Sequence, residues 1–411
     1  MKSYLTESIV KQQLLRLDKI IFEVTDACNL QCKYCGYGKI YNNVDERLNK
    51  KMTLDKAIRL LTYFFELWQT NDTSISRNIF ISFYGGEPLL NMPFIKNIIS
   101  FIENTHPQGL VFHYSMTTNA VLLDKYVDYL YNKNIRLLIS LDGNKRNNSY
   151  RLDKMGNSVF DKIVKNATYL KHKYPKYFNN KVNFNAVLHD RNSVYEINEF
   201  IYKQFGKKPS ISELNTVGVS PEQKEIFHNM YKSYQSSSIE SIHKMSNQEF
   251  DTESPLFKEV AEYIFGYSSF VYQDYFELRF GKSKSRIPTG TCLPFSKNLY
   301  VTVNGKLLPC EHIGQENPLG YVSDDSVDIE PDFIANFYNR QFEKIENQCV
   351  DCKLSSRCTQ CIFNFDDFSS SPRCQNHTSD KLFKQYSTFV DSYLRKYPEA
   401  YQKIMKDIIY F

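Results

Sequence analysis

The sequence contains no apolar run that approaches the length of a membrane-spanning helix, and its first residues, Met1-Lys2-Ser3-Tyr4, lack the apolar stretch of a signal peptide. These absences predict a cytoplasmic protein with no membrane partner. The chain also contains no internal repeat and no long low-complexity tract, which excludes a repeat array. Its net charge of +5, spread over 411 residues, gives no indication of a nucleic acid partner.

What the chain does contain is enough apolar sequence for substantial cores and an unusual number of cysteines. Hydrophobic residues make up 42% of 411 residues, and this length predicts two or three domains. There are ten cysteines. In a reducing compartment they are expected to be metal ligands or catalytic groups rather than disulfide partners.

The first half of the chain alternates short β-rich runs with amphipathic stretches of helical length, a pattern typical of a parallel α/β unit. Thr53 and Ser193 are candidate N-caps. In such folds functional residues lie in the loops that follow the strands. The predicted strands are Ile20 to Val24, Ile79 to Tyr84, Val111 to Thr117, Ile135 to Leu141, Val182 to Leu188 and Ser210 to Leu214, and the predicted helices are Leu54 to Trp68, Phe94 to Glu103, Leu123 to Asn132, Val159 to Tyr169 and Val194 to Phe205.

The first predicted strand leads into a C-x3-C-x2-C loop formed by Cys28, Cys32 and Cys35. Three thiolates can hold three irons of a 4Fe-4S cluster and leave the fourth iron open to a ligand. From the residues alone, a zinc site or a set of buried structural thiols is the alternative.

The segment Thr25-Asp26-Ala27-Cys28-Asn29-Leu30-Gln31-Cys32-Lys33-Tyr34-Cys35 resembles the signature of the radical S-adenosylmethionine (SAM) enzymes. The resemblance implies a partial (β/α)6 barrel in which SAM chelates the open iron. It also implies that an electron from the cluster cleaves SAM to a 5'-deoxyadenosyl radical that abstracts hydrogen from a substrate. The protein then supplies positioning, shielding and redox tuning.

Further loops resemble the SAM-binding motifs of this family. Tyr84-Gly85-Gly86-Glu87-Pro88-Leu89 resembles the GGEP motif and Ser140-Leu141-Asp142-Gly143 the SLDG segment, although both are also ordinary turn sequences. Asn147-Asn148-Ser149-Tyr150-Arg151 resembles the HDxxR motif but lacks its His-Asp pair and is one residue shorter. The resemblance implies these SAM contacts: Tyr34, Gly85, Gly86, Glu87, Pro88, Thr118, Asn119, Ser140, Asp142 and Arg151.

The remaining cysteines lie near the C-terminal end and resemble the SPASM domain, an auxiliary-cluster module of radical SAM enzymes that modify peptides and proteins. The motif begins with Cys292 and Gly305-Lys306-Leu307-Leu308-Pro309-Cys310, and one later interval is a residue shorter than usual. The resemblance assigns auxiliary cluster II to Cys349, Cys352, Cys358 and Cys374, and auxiliary cluster I to Cys292, Cys310 and Cys361.

No cysteine remains to complete auxiliary cluster I. The nearest candidates for a fourth ligand are Glu311 and His312, each of which could also be a surface side chain. In the sulfatase maturases of this family, an aspartate that is proposed to act as a base directly follows the cysteine of the G-x4-C motif. In this chain Glu311 follows Cys310 at that position. For the C-x2-C-x5-C-x2-C run a zinc knuckle is the competing interpretation.

The resemblance predicts an α/β fold class, in which a partial (β/α)6 radical SAM barrel (residues 19–215) follows an N-terminal extension (1–18). A helical bridge (216–289), a small cysteine-rich SPASM domain (290–378) and a C-terminal helix (379–411) complete the predicted chain.

The expected function is that of a radical SAM peptide maturase that installs a thioether or carbon–carbon crosslink in a ribosomally made precursor peptide. Glu311 in place of aspartate and the missing cysteine favour this over formylglycine formation by a sulfatase maturase. A zinc-dependent interaction protein is the alternative from another class.

The expected cofactors are S-adenosyl-L-methionine and three 4Fe-4S clusters, one radical SAM and two auxiliary. The expected partners are a precursor peptide with a leader and a flavodoxin- or ferredoxin-type electron donor. Because only 27 residues precede Cys28, too few for a peptide-recognition domain, we expect another surface of the chain or a separate protein to recognise the leader.

Overall fold

The structure is a computed structural model that describes residues 4–69, 76–234, 236–237, 255–267, 279, 290–355, 358, 360–365, 374 and 377–407. The chain divides into two compact units. The sheet unit consists of Leu5–Ser237 and Cys292–Asn336, and the helical unit of the described residues within Met1–Tyr4, Ser238–Thr291 and Phe337–Phe411. Among the described residues no helix has the length and apolar composition needed to cross a membrane.

The sheet unit is built on one ten-stranded sheet. Its strand order is β10-β9-β8-β7-β1-β2-β3-β4-β5-β6, with β1 to β6 parallel to their neighbours and β7 parallel to β1. Strands β7 to β10 form an antiparallel meander. The strands are β1 Lys19–Thr25, β2 Arg77–Gly85, β3 Leu110–Thr118, β4 Arg136–Ser140, β5 Val182–Val187, β6 Ser210–Ser212, β7 Leu299–Val301, β8 Lys306–Leu308, β9 Gly320–Val322 and β10 Val327–Ile329.

The six predicted strands of the first half are all confirmed as β1 to β6. The central strand β1 is almost wholly buried, as expected for a parallel sheet covered by helices. The helices of this unit are α1 Glu7–Arg16, α2 Leu54–Gln69, α3 Met92–Thr105, α4 Val127–Asn132, α5 Phe160–Lys173, α6 Pro175–Lys181, α7 Val194–Phe205 and α8 Lys224–Met230.

Two N-caps are confirmed. The Ser193 hydroxyl accepts a hydrogen bond from Glu196 N at 3.2 Å, and the Thr53 hydroxyl accepts one from Lys56 N at 3.4 Å. The predicted helix from Leu123 to Asn132 is instead a 3-10 turn, Leu123–Lys125, followed by α4. Its first turn uses tighter i to i+3 bonds, because Lys125 N and Tyr126 N donate to Leu122 O and Leu123 O.

The helical unit contains α9 Pro255–Tyr267, most of α10 Pro331–Val350, α11 Asp380–Lys396 and α12 Pro398–Asp407. A core that includes Val260, Ile264, Val390 and Ile404 holds α9, α11 and α12 together. The predicted single C-terminal helix over 379–411 is therefore two helices in the described residues. Pro398 starts the second one, because proline lacks the N–H that a continuous helix needs.

The domain bounds predicted from the sequence stay predictions. Of the predicted bridge, residues 216–234, 236–237, 255–267 and 279 are described. Residues 292–336, predicted as part of a separate SPASM domain, belong to the sheet unit because β7 pairs with β1.

Candidate functional site

The three cysteines of the first motif lie in the loop after β1, at the carboxyl end of the sheet. Burial, with a smaller contribution from the charge of Cys35, raises the pKa of Cys28 to about 11 and that of Cys32 to about 12. The contribution of Cys35 places the three thiols in one neighbourhood. Neighbouring thiols become good ligands once a metal displaces their protons, so the donor set fits an iron-sulfur cluster.

A short antiparallel ladder holds the cysteine loop. Gln31 N donates to Leu152 O at 2.8 Å and Lys33 N donates to Tyr150 O at 3.0 Å. A bridge between Leu30 and Asp153 extends the ladder. The loop conformation is therefore set by a segment more than a hundred residues away in sequence.

A pocket of about 360 Å³ opens beside Cys28. Its walls include Leu90 and a turn whose tip, Met155, is 84% exposed. Cys28 therefore lines an open pocket on this side of the loop.

The glycine pair of the GGEP motif is required by backbone packing. Gly85 has a φ of +138°, and a Cβ there would lie 2.2 Å from Thr25 O. A Cβ on Gly86 would lie 2.1 Å from Ala27 O. Gly86 N donates to Thr25 O and Glu87 N to Ala27 O, both at 2.9 Å. The pair thus fastens this loop to the residues that lead into Cys28.

The Glu87 side chain is fully buried, and its carboxylate accepts hydrogen bonds from donors within the protein. It accepts hydrogen bonds from Thr118 Oγ1 at 2.7 Å, Asn119 N at 2.8 Å and Leu89 N at 3.1 Å. Burial raises its pKa to about 7 against the effect of these bonds. Asn119 Nδ2 donates to Asn29 Oδ1 at 2.8 Å and lies 3.9 Å from Cys28 Sγ. These predicted SAM contacts surround Cys28, and their role as cofactor contacts stays a prediction.

Three more predicted contacts meet in one buried ion pair. Arg151 donates through Nε and Nη2 to the two carboxylate oxygens of Asp142, each at 3.0 Å. The Tyr34 hydroxyl also donates to Asp142, and Val187 N donates to it at 3.0 Å. Because Tyr34 stands between Cys32 and Cys35, this ion pair anchors the cysteine loop to β4 and β5. Ser140 is separate from it, with its hydroxyl donating to Asn185 Oδ1 at 3.0 Å.

His189 belongs to the same group of side chains and was not predicted. Its ring is fully buried, stacks on Tyr34 with centroids 5.6 Å apart, and packs edge-on against Tyr150 at 4.9 Å. Nδ1 accepts from Arg191 N at 3.1 Å, and burial lowers the His189 pKa. A neutral imidazole thus supports Tyr34. The only available signal was its position directly after a predicted strand.

A second cysteine site lies beside the first one in the sheet unit. Cys310 Sγ lies 3.6 Å from Glu311 Oε2, and Glu311 Oε1 lies 3.6 Å from the exposed His312 Nε2. The Tyr37 hydroxyl, two residues beyond Cys35, donates to Glu311 O at 3.2 Å. This bond links the two cysteine loops directly.

The four cysteines predicted to hold auxiliary cluster II lie together in the helical unit. Burial, with smaller contributions from the charges of the other three thiols, raises the pKa of Cys349 to about 12. Cys374 N donates to Gln348 Oε1 at 3.0 Å and Thr378 N to Cys352 Sγ at 3.5 Å. Four converging thiols fit a metal centre. The proposed cluster I set stays a prediction, because Cys292 and Cys310 belong to one unit and Cys361 to the other.

Comparison with known proteins agrees with this arrangement. Residues 22–200 match the family model of the Radical SAM superfamily. The chain is 25% identical over 345 residues to the radical SAM cyclopropyl synthase TigE of Paramaledivibacter caminithermalis, covering 82% of this chain and 66% of that protein. It is 24% identical over 402 residues to a cysteine-type anaerobic sulfatase-maturating enzyme of Clostridium novyi, covering 92% of this chain and 96% of that one.

The fold is similar to the solved structure of native anSMEcpe with bound AdoMet and Kp18Cys peptide. The TM-score is 0.59 at 16% sequence identity, over 94% of this chain and 99% of that one. The cysteine loop, the parallel sheet and the matched residues together identify a radical SAM domain over residues 22–200 of this chain.

Proposed function

We propose that this protein is a radical SAM peptide maturase that installs a thioether or carbon–carbon crosslink in a ribosomally made precursor peptide. The observation that carries the proposal is the hydrogen bond from Tyr37 to Glu311, which joins the Cys35 loop to the Cys310 loop. A radical-generating site and a second thiol site thus adjoin at one end of one sheet. A peptide side chain could reach both at once.

In this proposal Cys28, Cys32 and Cys35 hold a 4Fe-4S cluster with an open iron. When bound, that cluster and S-adenosylmethionine supply a 5'-deoxyadenosyl radical. Arg151 directs Nε and Nη2 to Asp142, while its Nη1 makes no hydrogen bond to any described residue and is available to a cofactor carboxylate. Asn119 and Ser140 stand at the ends of neighbouring strands, where ribose hydroxyls could reach them.

The auxiliary sites define the expected metal content. Cys349, Cys352, Cys358 and Cys374 complete one four-thiolate cluster, and Cys292, Cys310 and Cys361 supply three ligands to another. The proposal therefore includes three 4Fe-4S clusters and a flavodoxin- or ferredoxin-type donor that reduces them. It also includes a precursor peptide whose leader is recognised elsewhere on this chain or by a separate protein.

The relatives favour a peptide or protein substrate and support a second candidate function. One is named as a cyclopropyl synthase, and the anSMEcpe structure contains a bound peptide. The nearly full-length match to a cysteine-type sulfatase-maturating enzyme favours, as the alternative, oxidation of a cysteine or serine to formylglycine. Glu311 in place of aspartate continues to favour crosslinking.

The test is anaerobic purification followed by co-expression with short open reading frames encoded near this gene. The purified enzyme should be brown, carry about twelve irons per chain and cleave SAM when reduced. A crosslinked peptide loses about 2 Da per bond and does not react with a hydrazide, whereas formylglycine carries a reactive aldehyde. Colourless protein with stoichiometric zinc would contradict both candidate functions.

A further inference from the structure

A group of polar side chains beside the two cysteine loops is not used by the proposal above. It begins with Glu23 and Tyr84, which are directly opposite each other in the parallel pairing of β1 with β2. Residues opposite each other in paired strands project from the same face of the sheet. Ile21, two residues before Glu23, contributes with Tyr300 to a small core on this face, and Tyr84 packs against that core. Glu23 and Tyr84 therefore share this face at the carboxyl end of the sheet.

Arg47 covers this face and has an unused donor. Its Nη1 donates to Glu23 Oε1, and Glu23 Oε2 accepts from Val303 N at 2.9 Å. The guanidinium carbon lies 4.0 Å from the centre of the Tyr37 ring. Arg47 Nη2 is buried and has no hydrogen-bond partner among the described residues. A buried N–H without an acceptor is unfavourable, so this nitrogen is expected to bind an acceptor that the described residues do not supply.

Tyr84 supplies a second unused donor. It is half-buried, and its ring packs edge-on against Tyr300 at 6.1 Å. The Tyr300 hydroxyl is 3.1 Å from the Tyr37 hydroxyl, whereas the Tyr84 hydroxyl makes no hydrogen bond within the described part of the chain. Burial raises the pKa of Tyr84, and the charges of Glu311, Cys35 and Cys310 raise it further. The phenol therefore stays protonated and lies close to both cysteine loops.

The surrounding charges select the kind of acceptor. Glu23 already balances the charge of Arg47, and Glu311 and two cysteines that would be thiolates lie nearby. An incoming carboxylate would face these negative groups without a free cation among the residues named here. An uncharged carbonyl oxygen accepts from both donors without this repulsion.

We propose that Arg47 Nη2 and the Tyr84 hydroxyl together bind a main-chain carbonyl oxygen of the substrate peptide, beside Cys35 and Cys310. The site recognises the peptide group itself, so it positions a residue for reaction without reading its side chain. This inference rests on the proposed function and names the part of the substrate that the sheet unit holds.

The direct test uses a small peptide-group mimic as the probe. Crystals of the reconstituted, SAM-bound enzyme are soaked with N-methylacetamide and, separately, with acetate. The expected result is an amide oxygen within hydrogen-bond distance of Arg47 Nη2 and Tyr84 Oη, with no acetate there. Acetate in the site, SAM occupying both donors, or no amide density would each overturn the proposal.

Variants provide a solution test with the peptide identified by co-expression. Arg47→Lys keeps a cation for Glu23 but removes Nη2, and we expect peptide affinity to fall at least tenfold. Tyr84→Phe should lower it about fivefold, the effect of one neutral hydrogen bond. In both variants deoxyadenosine formed per modified peptide should rise, while iron content and cluster EPR signals should match wild type.

Two matched controls lie on α2. Arg59→Lys changes an exposed arginine that donates to Asp324 O, and Tyr63→Phe removes the phenol of a residue whose ring packs edge-on against Phe64. Both should bind peptide like wild type. Affinities in Arg47→Lys and Tyr84→Phe equal to these controls would refute the inference even if wild type modifies the peptide. If wild type modifies no peptide, the proposed function fails, and the soaking result still decides the carbonyl site.

Discussion

Gly86→Ala tests whether the glycine pair is needed for contact between protein segments. The added Cβ would lie 2.1 Å from Ala27 O, 2.5 Å from Ala27 C and 2.8 Å from Asp26 O. Ordinary contact begins at 3.4 Å, so the Ala27 carbonyl must move by about 1.3 Å, the difference between 3.4 Å and 2.1 Å. All three atoms are backbone, which cannot rotate away as a side chain could.

We expect this overlap to lower the free energy of unfolding by about 3 kcal/mol, the upper part of the range for overpacking. For a domain of this size that corresponds to a fall of about 6–12 °C in melting temperature. Because Ala27 immediately precedes Cys28, the displaced loop should also bind about four fewer irons. Anaerobic thermal unfolding of the iron-free chain and iron analysis of the reconstituted chain measure the two effects.

Gly36→Ala is the matched control, because Gly36 adjoins Cys35, yet a Cβ there would have no atom within 4 Å. It should melt within about 4 °C of wild type, since replacing an unstrained glycine changes stability by less than about 1 kcal/mol. Its iron content should be unchanged. If Gly86→Ala and Gly36→Ala melt together and bind equal iron, the two loops do not require the close approach described here.

Three further perturbations test other parts of the site. Asp142→Asn leaves the buried Arg151 charge without its partner, so thermal unfolding should show a loss of about 3–5 kcal/mol; wild-type stability would contradict the ion pair. Glu87 has a raised pKa of about 7 in the folded state against 4.5 ordinarily. Between these two pH values the folded protein therefore holds a proton on Glu87 that the unfolded chain has lost. The free energy of unfolding should fall by about 3 kcal/mol as pH rises from 4.5 to 7. Glu87→Gln should lack this slope; an identical slope would assign the effect to another group. Cys358→Ala should remove about four irons per chain, measured by iron analysis, and unchanged iron would exclude Cys358 as a ligand.

The features predicted from the sequence are those whose signal is local. The spacing of Cys28, Cys32 and Cys35 was informative because these three candidate ligands lie within one short loop. The strands of the first half were predicted because β-rich runs alternate with helical patterns. The turn at Leu123–Lys125 lies inside a stretch with helical composition and has no local signal of its own. The break at Pro398 does have a local signal, the proline itself.

The features that the sequence did not predict depend on contacts between segments that are far apart in the chain. Gly85 and Gly86 suggested ligand binding, but their nearest constraint is the backbone of Thr25 and Ala27. Gly305 of the G-x4-C motif has a φ of +83°, and a Cβ there would meet Val322 O at 2.0 Å. His189 had no motif, because its ring partners Tyr34 and Tyr150 are far away in the sequence. These roles require tertiary contacts that spacing does not encode.

The pairing of β1 with both β2 and β7 also sets an order of assembly. During synthesis β1 can pair with β2 early, but its other edge stays open until Leu299–Val301 has left the ribosome. A nascent chain thus presents the Cys28 loop on an unfinished sheet. The segment that closes this edge also delivers Cys310 to the Cys35 loop through Tyr37 and Glu311. One late closing step therefore finishes the sheet and joins the two cysteine loops. A chain truncated before residue 299 would lose both β7 and this contact between the loops.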